Sequence, residues 1–146
     1  MIFYFVILLS VAIDQISKIF IRTGMDMNES IPVVDGIFHI TYVRNYGAAF
    51  SILQGKQALL ITVTLISIIC IAVYFAIHLR KNHWALSLAL ALIVGGGLGN
   101  LIDRIRLGYV VDFFDFRIFP VFNIADICVC CGCGILILYL FIFERV

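Results

Sequence analysis

Charge is scarce in this chain. Asp, Glu, Lys and Arg make up 13% of its 146 residues, while 64% are hydrophobic, and the mean hydropathy is +1.15. So little polar material cannot clothe a soluble core of this size, which excludes an ordinary water-soluble domain. A formal net charge of +1 goes with no nucleic-acid partner. The familiar hydrolytic signatures are missing too: there is no G-x-S-x-G and no H-E-x-x-H, and His39, His78 and His83 do not share metal-ligand spacing on a helix. Internal repeats, low-complexity tracts and a separate soluble domain are also absent, so residues 1–146 are expected to form a single membrane domain.

What the sequence does have is long apolar runs. A bilayer core of about 30 Å takes roughly 20 apolar helical residues per crossing, and windows at about 2–22, 58–78, 84–103 and 122–143 meet that length. The expected fold class is an all-α membrane protein with four transmembrane helices. The second and third windows carry no charge between 58 and 77 and between 84 and 102, whereas the first and fourth are interrupted by Asp14, Lys18 and Asp126. The opening MIFYFVILLSVAID lacks a basic leader and a small-residue cleavage site, and is read as a retained first helix.

Four alternating spans bring the end of the first helix, the start of the second, the end of the third and the start of the fourth to one membrane face. Asp14, Lys18, Asn100, Asp103, Arg104, Asn123 and Asp126 are therefore expected to gather there. Asp14, Lys18 and Arg22 follow at i, i+4 and i+8; Asn100, Asp103 and Arg104 at i, i+3 and i+4; Asn123 and Asp126 at i and i+3. Simple ion pairs, Asp14 with Lys18 and Asp103 with Arg104 or Arg106, would account for some of them. As a set they fit a functional site better, because ionisable groups within spans are costly and mark sites or wet cavities. Asp126 has no basic neighbour within a helical turn.

Sidedness stays open on the residues alone. Arg80 and Lys81 in the short HLRKNH link argue for cytoplasmic termini, but Arg22, Arg44, Lys56, Arg104, Arg106 and Arg117 lie on the other side.

Between the first two helices, residues of about 23–57 include an Asp35-Gly36 turn and the β-prone run IFHITYV, which predict a small interfacial β element. Between the last two, the amphipathic segment GYVVDFFDFRIFP supplies Asp112 and Asp115. Two carboxylates close together in a partly dry site cannot both ionise easily; one keeps a proton, the other stays charged, and a water between them can attack a carbonyl. Nothing in the pattern alone prefers Asp112 over Asp115 or Asp103 as the partner of Asp126.

Cys128, Cys130, Cys131 and Cys133 fall at about 0°, 200°, 300° and 140° around a helix, so they cannot converge on one tetrahedral ion. They are expected to pack as small apolar residues beside Gly132 and Gly134 against neighbouring helices, with Cys130 one turn from Asp126 and no disulfide framework. Ser17 and Lys18, about 100° apart, do not make a nucleophile and base.

The blocks DQISK (14–18), NYGAAFS (45–51), GNLIDR (99–104), VVDFF (110–114) and FNIAD (122–126) occur in order across nearly the whole chain. This pattern resembles the bacterial lipoprotein signal peptidases, signal peptidase II. The resemblance implies four helices with cytoplasmic termini, a β-cradle on the outer face of the bacterial cytoplasmic (inner) membrane, and an aspartic endopeptidase that cuts diacylglyceryl-modified prolipoproteins before the lipidated cysteine. It implies Asp112 and Asp126 as the catalytic pair, hydrogen-bonding support from Asp14, Asn45, Asn100, Arg104 and Asn123, and shaping of the site by Lys18, Gly47 and Asp103. It calls for no metal and no organic cofactor, and implies membrane lipids as surroundings, inhibition by globomycin-type compounds and a monomer. Three features depart from the pattern: the 14-residue interval from Asp112 to Asp126, the cysteine cluster, and a C-terminus without a basic tail. A small ion-coupled carrier is the rival from another class; it would use Asp14 and Asp126 as ion sites and leave Asp112 dispensable.

Overall fold

The computed structural model describes residues 2–47, 53, 55–78 and 83–144. Arg80 and Lys81, which the sidedness argument used, lie outside the described residues, as do Ala48 to Ser51 of the NYGAAFS block and the terminal Arg145 and Val146.

The elements run α1 (Ile2–Gly24), β1 (Ser30–Val34), β2 (Phe38–Asn45), α2 (Gln57–His78), α3 (Trp84–Leu107), β3 (Val110–Asp115) and α4 (Ile124–Tyr139), the last continuing into a π-helical turn at Leu140–Glu144. All four helices are long and apolar enough to cross a membrane. Helix α3 is the hub, packed against each of the other three, and it alone has most of its span buried.

Burial is inverted relative to a soluble bundle. The buried residues of α1 are Ser10, Asp14 and Lys18, whereas Phe5, Leu8, Ile16 and Phe20 are exposed. In water that would be untenable; in a bilayer the apolar face meets lipid and the polar stripe meets other protein. Helix α2 buries only Leu60 and Phe75, the latter against Leu86 and Leu90 of α3 and edge-on to Phe3 and Tyr4 of α1.

Helices α3 and α4 approach closely because glycine stands at the crossings. A Cβ on Gly96 would run into the Ala125 carbonyl, and one on Gly132 would come within 2.7 Å of the Ala89 carbonyl oxygen. Cys128 shares this seam, its Cβ 3.1 Å from a Cβ placed on Gly96, whereas Cys130, Cys131 and Cys133 are exposed free thiols, and nothing lies within 4 Å of a Cβ placed on Gly134. The expectation that they pack against neighbouring helices therefore holds for Cys128 and is corrected for Cys130, Cys131 and Cys133, which α4 turns outward.

Helix α3 runs past the expected end at 103 to Leu107. Gly108 stops it in the left-handed conformation, φ 79°, with its N–H donating to the Arg104 carbonyl at 3.1 Å. Arg104 and Arg106 therefore lie in the last helical turn, where cations suit the helix dipole.

The expected β element forms, but with a third strand. The sheet order is β1-β2-β3, antiparallel throughout. The Asp35-Gly36 turn joins β1 to β2, with Gly36 at φ 70° and Ile37 N–H donating to the Val34 carbonyl at 3.0 Å. The amphipathic segment between α3 and α4 supplies β3, so Asp112 and Asp115 sit on a strand. A bulge in β2 between Ile40 and Val43 shifts the register, pairing His39 with Asp115 and Val43 with Asp112. Tyr42, Val111 and Phe113 form the core beneath the sheet.

Candidate active site

The site begins with the buried stripe of α1. Lys18 is 2% exposed, and its Nζ lies 2.9 Å from Asp14 Oδ2, 3.1 Å from Asp103 Oδ2 and 2.9 Å from Asn100 Oδ1. Three acceptors match the three donors of an ammonium. Asp103 thus pairs with Lys18 rather than with Arg104 or Arg106. Arg22, on the same expected stripe, is exposed and outside this network.

This cluster positions backbone as well as charge. Asp14 Oδ1 accepts from the Ala125 N–H at 2.9 Å, and Asp103 Oδ2 accepts from the Val111 N–H at 3.1 Å. One carboxylate therefore holds the first turn of α4 and the other the start of β3. Burying three charges costs several kcal/mol of desolvation per ion, an outlay consistent with fixing those two segments against α1 and α3.

Next to the cluster, three asparagines surround two further carboxylates. Asn123 caps α4: its Oδ1 accepts from Asp126 N–H at 2.9 Å, and its own N–H donates to Asp126 Oδ2 at 3.2 Å, a reciprocal capping box. The i, i+3 relation expected for these two residues is thus a cap and not a shared helical face. Asn123 Nδ2 reaches away from the helix to Asp112 Oδ1 at 2.6 Å. Asn100 Nδ2 donates to Asp126 Oδ1 at 2.8 Å, while its Oδ1 accepts from Asn123 at 3.1 Å and from Lys18. Asn45, diagonal to Asp112 across the β2–β3 ladder, donates to Asp112 Oδ2 at 2.9 Å.

The short interval between Asp112 and Asp126 folds back on itself. Phe114 and Phe122 exchange backbone hydrogen bonds of 2.8 and 3.1 Å, which brings Asn123 under β3 and the start of α4 beside Asp112.

These contacts separate three acids that the sequence left equivalent. Asp103 is committed to Lys18, Gln15 and Val111. Asp115, three residues along β3 and so on its other face, accepts from Thr41 Oγ1 at 2.8 Å and pairs with Arg117 at 3.0 Å. Asp112, 2% exposed, has only neutral amide partners among the described residues. Burial, joined by the negative charge of Asp126, outweighs the hydrogen bonds from Asn45 and Asn123 and pushes the Asp112 carboxyl up to about 7.

Arg104 Nη2 donates to the Gly47 carbonyl at 3.0 Å, and the Gly47 N–H donates to Asn45 Oδ1 at 2.9 Å. The edge of the sheet is thereby tied to α3 through the residue that also holds Asp112. Arg104 Nε is buried with no partner among the described residues, leaving an available donor beside the acids. Ser17 turns back to the Asp14 carbonyl. Among the described residues, no group of three or more His, Cys, Asp or Glu side chains is placed to hold a metal ion.

Sequence reasoning missed Gln15. Its Nε2 lies 3.0 Å from Asp103 Oδ1, 3.1 Å from the Gly99 carbonyl and 3.3 Å from Asp14 Oδ2, bridging α1 and α3. The signal was a polar residue adjacent to Asp14 inside an apolar run. Thr41, the partner of Asp115, gave no signal within a β-prone segment.

The family model described as signal peptidase (SPase) II matches residues 6–142. The chain belongs to the signal peptidase II family. It is 47% identical over 143 residues to the lipoprotein signal peptidase of Halothermothrix orenii, covering 98% of this chain and 97% of that protein. It is 51% identical over 137 residues to that of Moorella thermoacetica, covering 93% and 89%. A bacterial membrane enzyme solved by the in meso method superposes with a TM-score of 0.91 at 36% identity, over 98% of this chain and 89% of that one. As a signal peptidase II, the protein is a membrane hydrolase of lipoprotein processing, with prolipoproteins as its substrates.

Proposed function

We propose that the protein is an aspartic endopeptidase that removes signal peptides from diacylglyceryl-modified prolipoproteins, cutting just before the lipidated cysteine, with Asp112 and Asp126 as its catalytic pair. The observation that carries this reading is the link through Asn123, which donates to Asp112 from its side chain and to Asp126 from its backbone.

Asp112, raised to about 7, is the acid that holds the proton, and Asp126 is the base. A water between them gives a proton to Asp126 and attacks the scissile carbonyl carbon, while Asp112 protonates the carbonyl oxygen. Collapse of the tetrahedral intermediate breaks the C–N bond as Asp126 returns its proton to the departing nitrogen and one hydroxyl of the intermediate gives its proton back to Asp112, re-forming the carbonyl. Asn45, Asn100 and Asn123 orient both carboxylates without adding charge, which preserves the difference in protonation that the mechanism needs. The Arg104 Nε, without a partner among the described residues, is suited to hold a substrate carbonyl. Asp14, Lys18 and Asp103 shape the site from behind, and Gly47 turns the edge of the cradle.

The substrate's acyl chains lie in the bilayer beside the helices, and its signal helix unwinds locally to bring the scissile bond to the acids. The site faces the outer side of the cytoplasmic membrane, with both termini inside and the protein working as a monomer. Purified protein in detergent should cleave a diacylglyceryl-modified prolipoprotein, leave the unlipidated precursor intact, and stop when a globomycin-type inhibitor is added. Equal cleavage of the unlipidated precursor would contradict the substrate assignment.

A further inference from the structure

A second polar feature lies between α1 and α3, bounded in part by Lys18 and Asp103 of the buried cluster. It is a cavity of about 60 Å³. Lys18, Asp103 and Gln15 form its polar floor, Ile19 and Leu107 its apolar walls, and the exposed residues Arg22 and Arg106 its rim. Neither arginine makes an ion pair or hydrogen bond among the described residues.

The position along the membrane normal decides what such a rim would meet. Helix α1 has 23 residues, about 34 Å at 1.5 Å per residue, slightly more than a hydrocarbon core of about 30 Å. Arg22 and Arg106 lie in the last turns of α1 and α3, so they stand at headgroup depth. The floor cluster of Lys18, Asp14 and Asp103 carries one net negative charge, and the two arginines turn the whole into one net positive charge. A single phosphodiester brings it to neutrality. Guanidinium groups bind phosphate oxygens through paired N–H donors, and basic pockets between transmembrane helices suit lipid headgroups.

We propose that this cavity is a binding site for an anionic phospholipid, with the phosphodiester between Arg22 and Arg106 and the headgroup hydroxyls directed towards Gln15 and Asp103. The bound lipid joins the ends of α1 and α3.

Purified full-length protein in detergent is titrated with phosphatidylglycerol, phosphatidylcholine or soluble glycerol 3-phosphate, and bound molecules are counted by native mass spectrometry. One phosphatidylglycerol should bind in preference to phosphatidylcholine, and added salt should weaken it. Arg22→Gln/Arg106→Gln should weaken that binding at least tenfold, Arg22→Lys/Arg106→Lys should retain most of it, and Lys56→Gln should leave it unchanged. If the glutamine pair does not fold, each single glutamine variant should show a partial loss. Equal binding of both lipids, wild-type affinity in the glutamine variants, or an equal loss in Lys56→Gln would overturn the site. Glycerol 3-phosphate binding as tightly as the lipid would overturn the lipid assignment in favour of free phosphate.

Discussion

Asn123 Nδ2 lies 2.6 Å from Asp112 Oδ1, so the residue that caps α4 is also a donor to the buried acid of β3. The two roles can be separated. In Asn123→Ser the hydroxyl can still accept from the Asp126 N–H but has no N–H to offer Asp112. Losing the buried Nδ2, which also serves Asn100 Oδ1 and the Val111 carbonyl, should cost about 1–3 kcal/mol of stability, while kcat/KM falls about 100-fold, as for removal of one preorganised donor. Asn123→Ala should lose the same activity and about 1 kcal/mol of cap stability besides. Full activity in the serine variant would show that the link to Asp112 is dispensable.

The raised carboxyl of Asp112 gives stability a pH dependence of definite sign. Its folded value of about 7 lies above the 3.8 of an ordinary aspartate, so proton binding favours the folded state. That contribution is complete below about 4 and lost as pH rises through about 7; the shift corresponds to about 4 kcal/mol. Thermal unfolding in detergent should show wild type losing stability from pH 5 to pH 8, and Asp112→Asn losing less. Parallel curves for the two proteins would contradict the assignment of the proton.

Removing Lys18 should be among the most damaging single changes. Asp14 and Asp103, 0% and 3% exposed, would be left as adjacent carboxylates without their counter-ion. Lys18→Met should cost about 3–5 kcal/mol, and adding Asp103→Asn should recover part of it by removing one of the unpaired charges. Chemical unfolding of the two variants compares them directly. No recovery would mean that the lysine acts through packing.

At the crossing of α1, α3 and α4, a Cβ on Gly99 would stand 2.5 Å from Asp14 Oδ2 and 3.2 Å from the Ala125 Cβ. Gly99→Ala should therefore destabilise by about 1–3 kcal/mol. It should also lower activity, because Asp14 holds the first turn of α4. Gly134→Ala, with nothing within 4 Å, should be neutral or slightly stabilising through helix propensity. Similar unfolding midpoints for the two variants would argue against the tight crossing.

Hydropathy made the four spans legible, since each must cross the bilayer without help from its neighbours. The ends were harder. Asp103 and Arg104 looked like the edge of the third span, yet an arginine is welcome in a last helical turn, and the stop signal was Gly108. Strand β3 was hidden because VVDFFD is largely buried on both faces, so it lacks the alternation that announces a strand, and its partner β2 is distant in sequence. The convergence of polar residues followed from topology alone. Which acid lacks a cation did not, because it depends on Lys18 reaching Asp103 and Arg117 folding back on Asp115. The capping box at Asn123 and Asp126 was present in the N-x-x-D spacing, but its second role needed the fold-back from Phe114 to Phe122.

The central claim is that Asp112 and Asp126 act on one water as an acid and base pair. Its most direct test is turnover of a diacylglyceryl-modified prolipoprotein by purified wild type, Asp112→Asn and Asp126→Asn, each first confirmed to be folded. Both variants should still bind substrate while kcat falls about 10²–10⁴-fold or more. Normal turnover by either folded variant would contradict the claim.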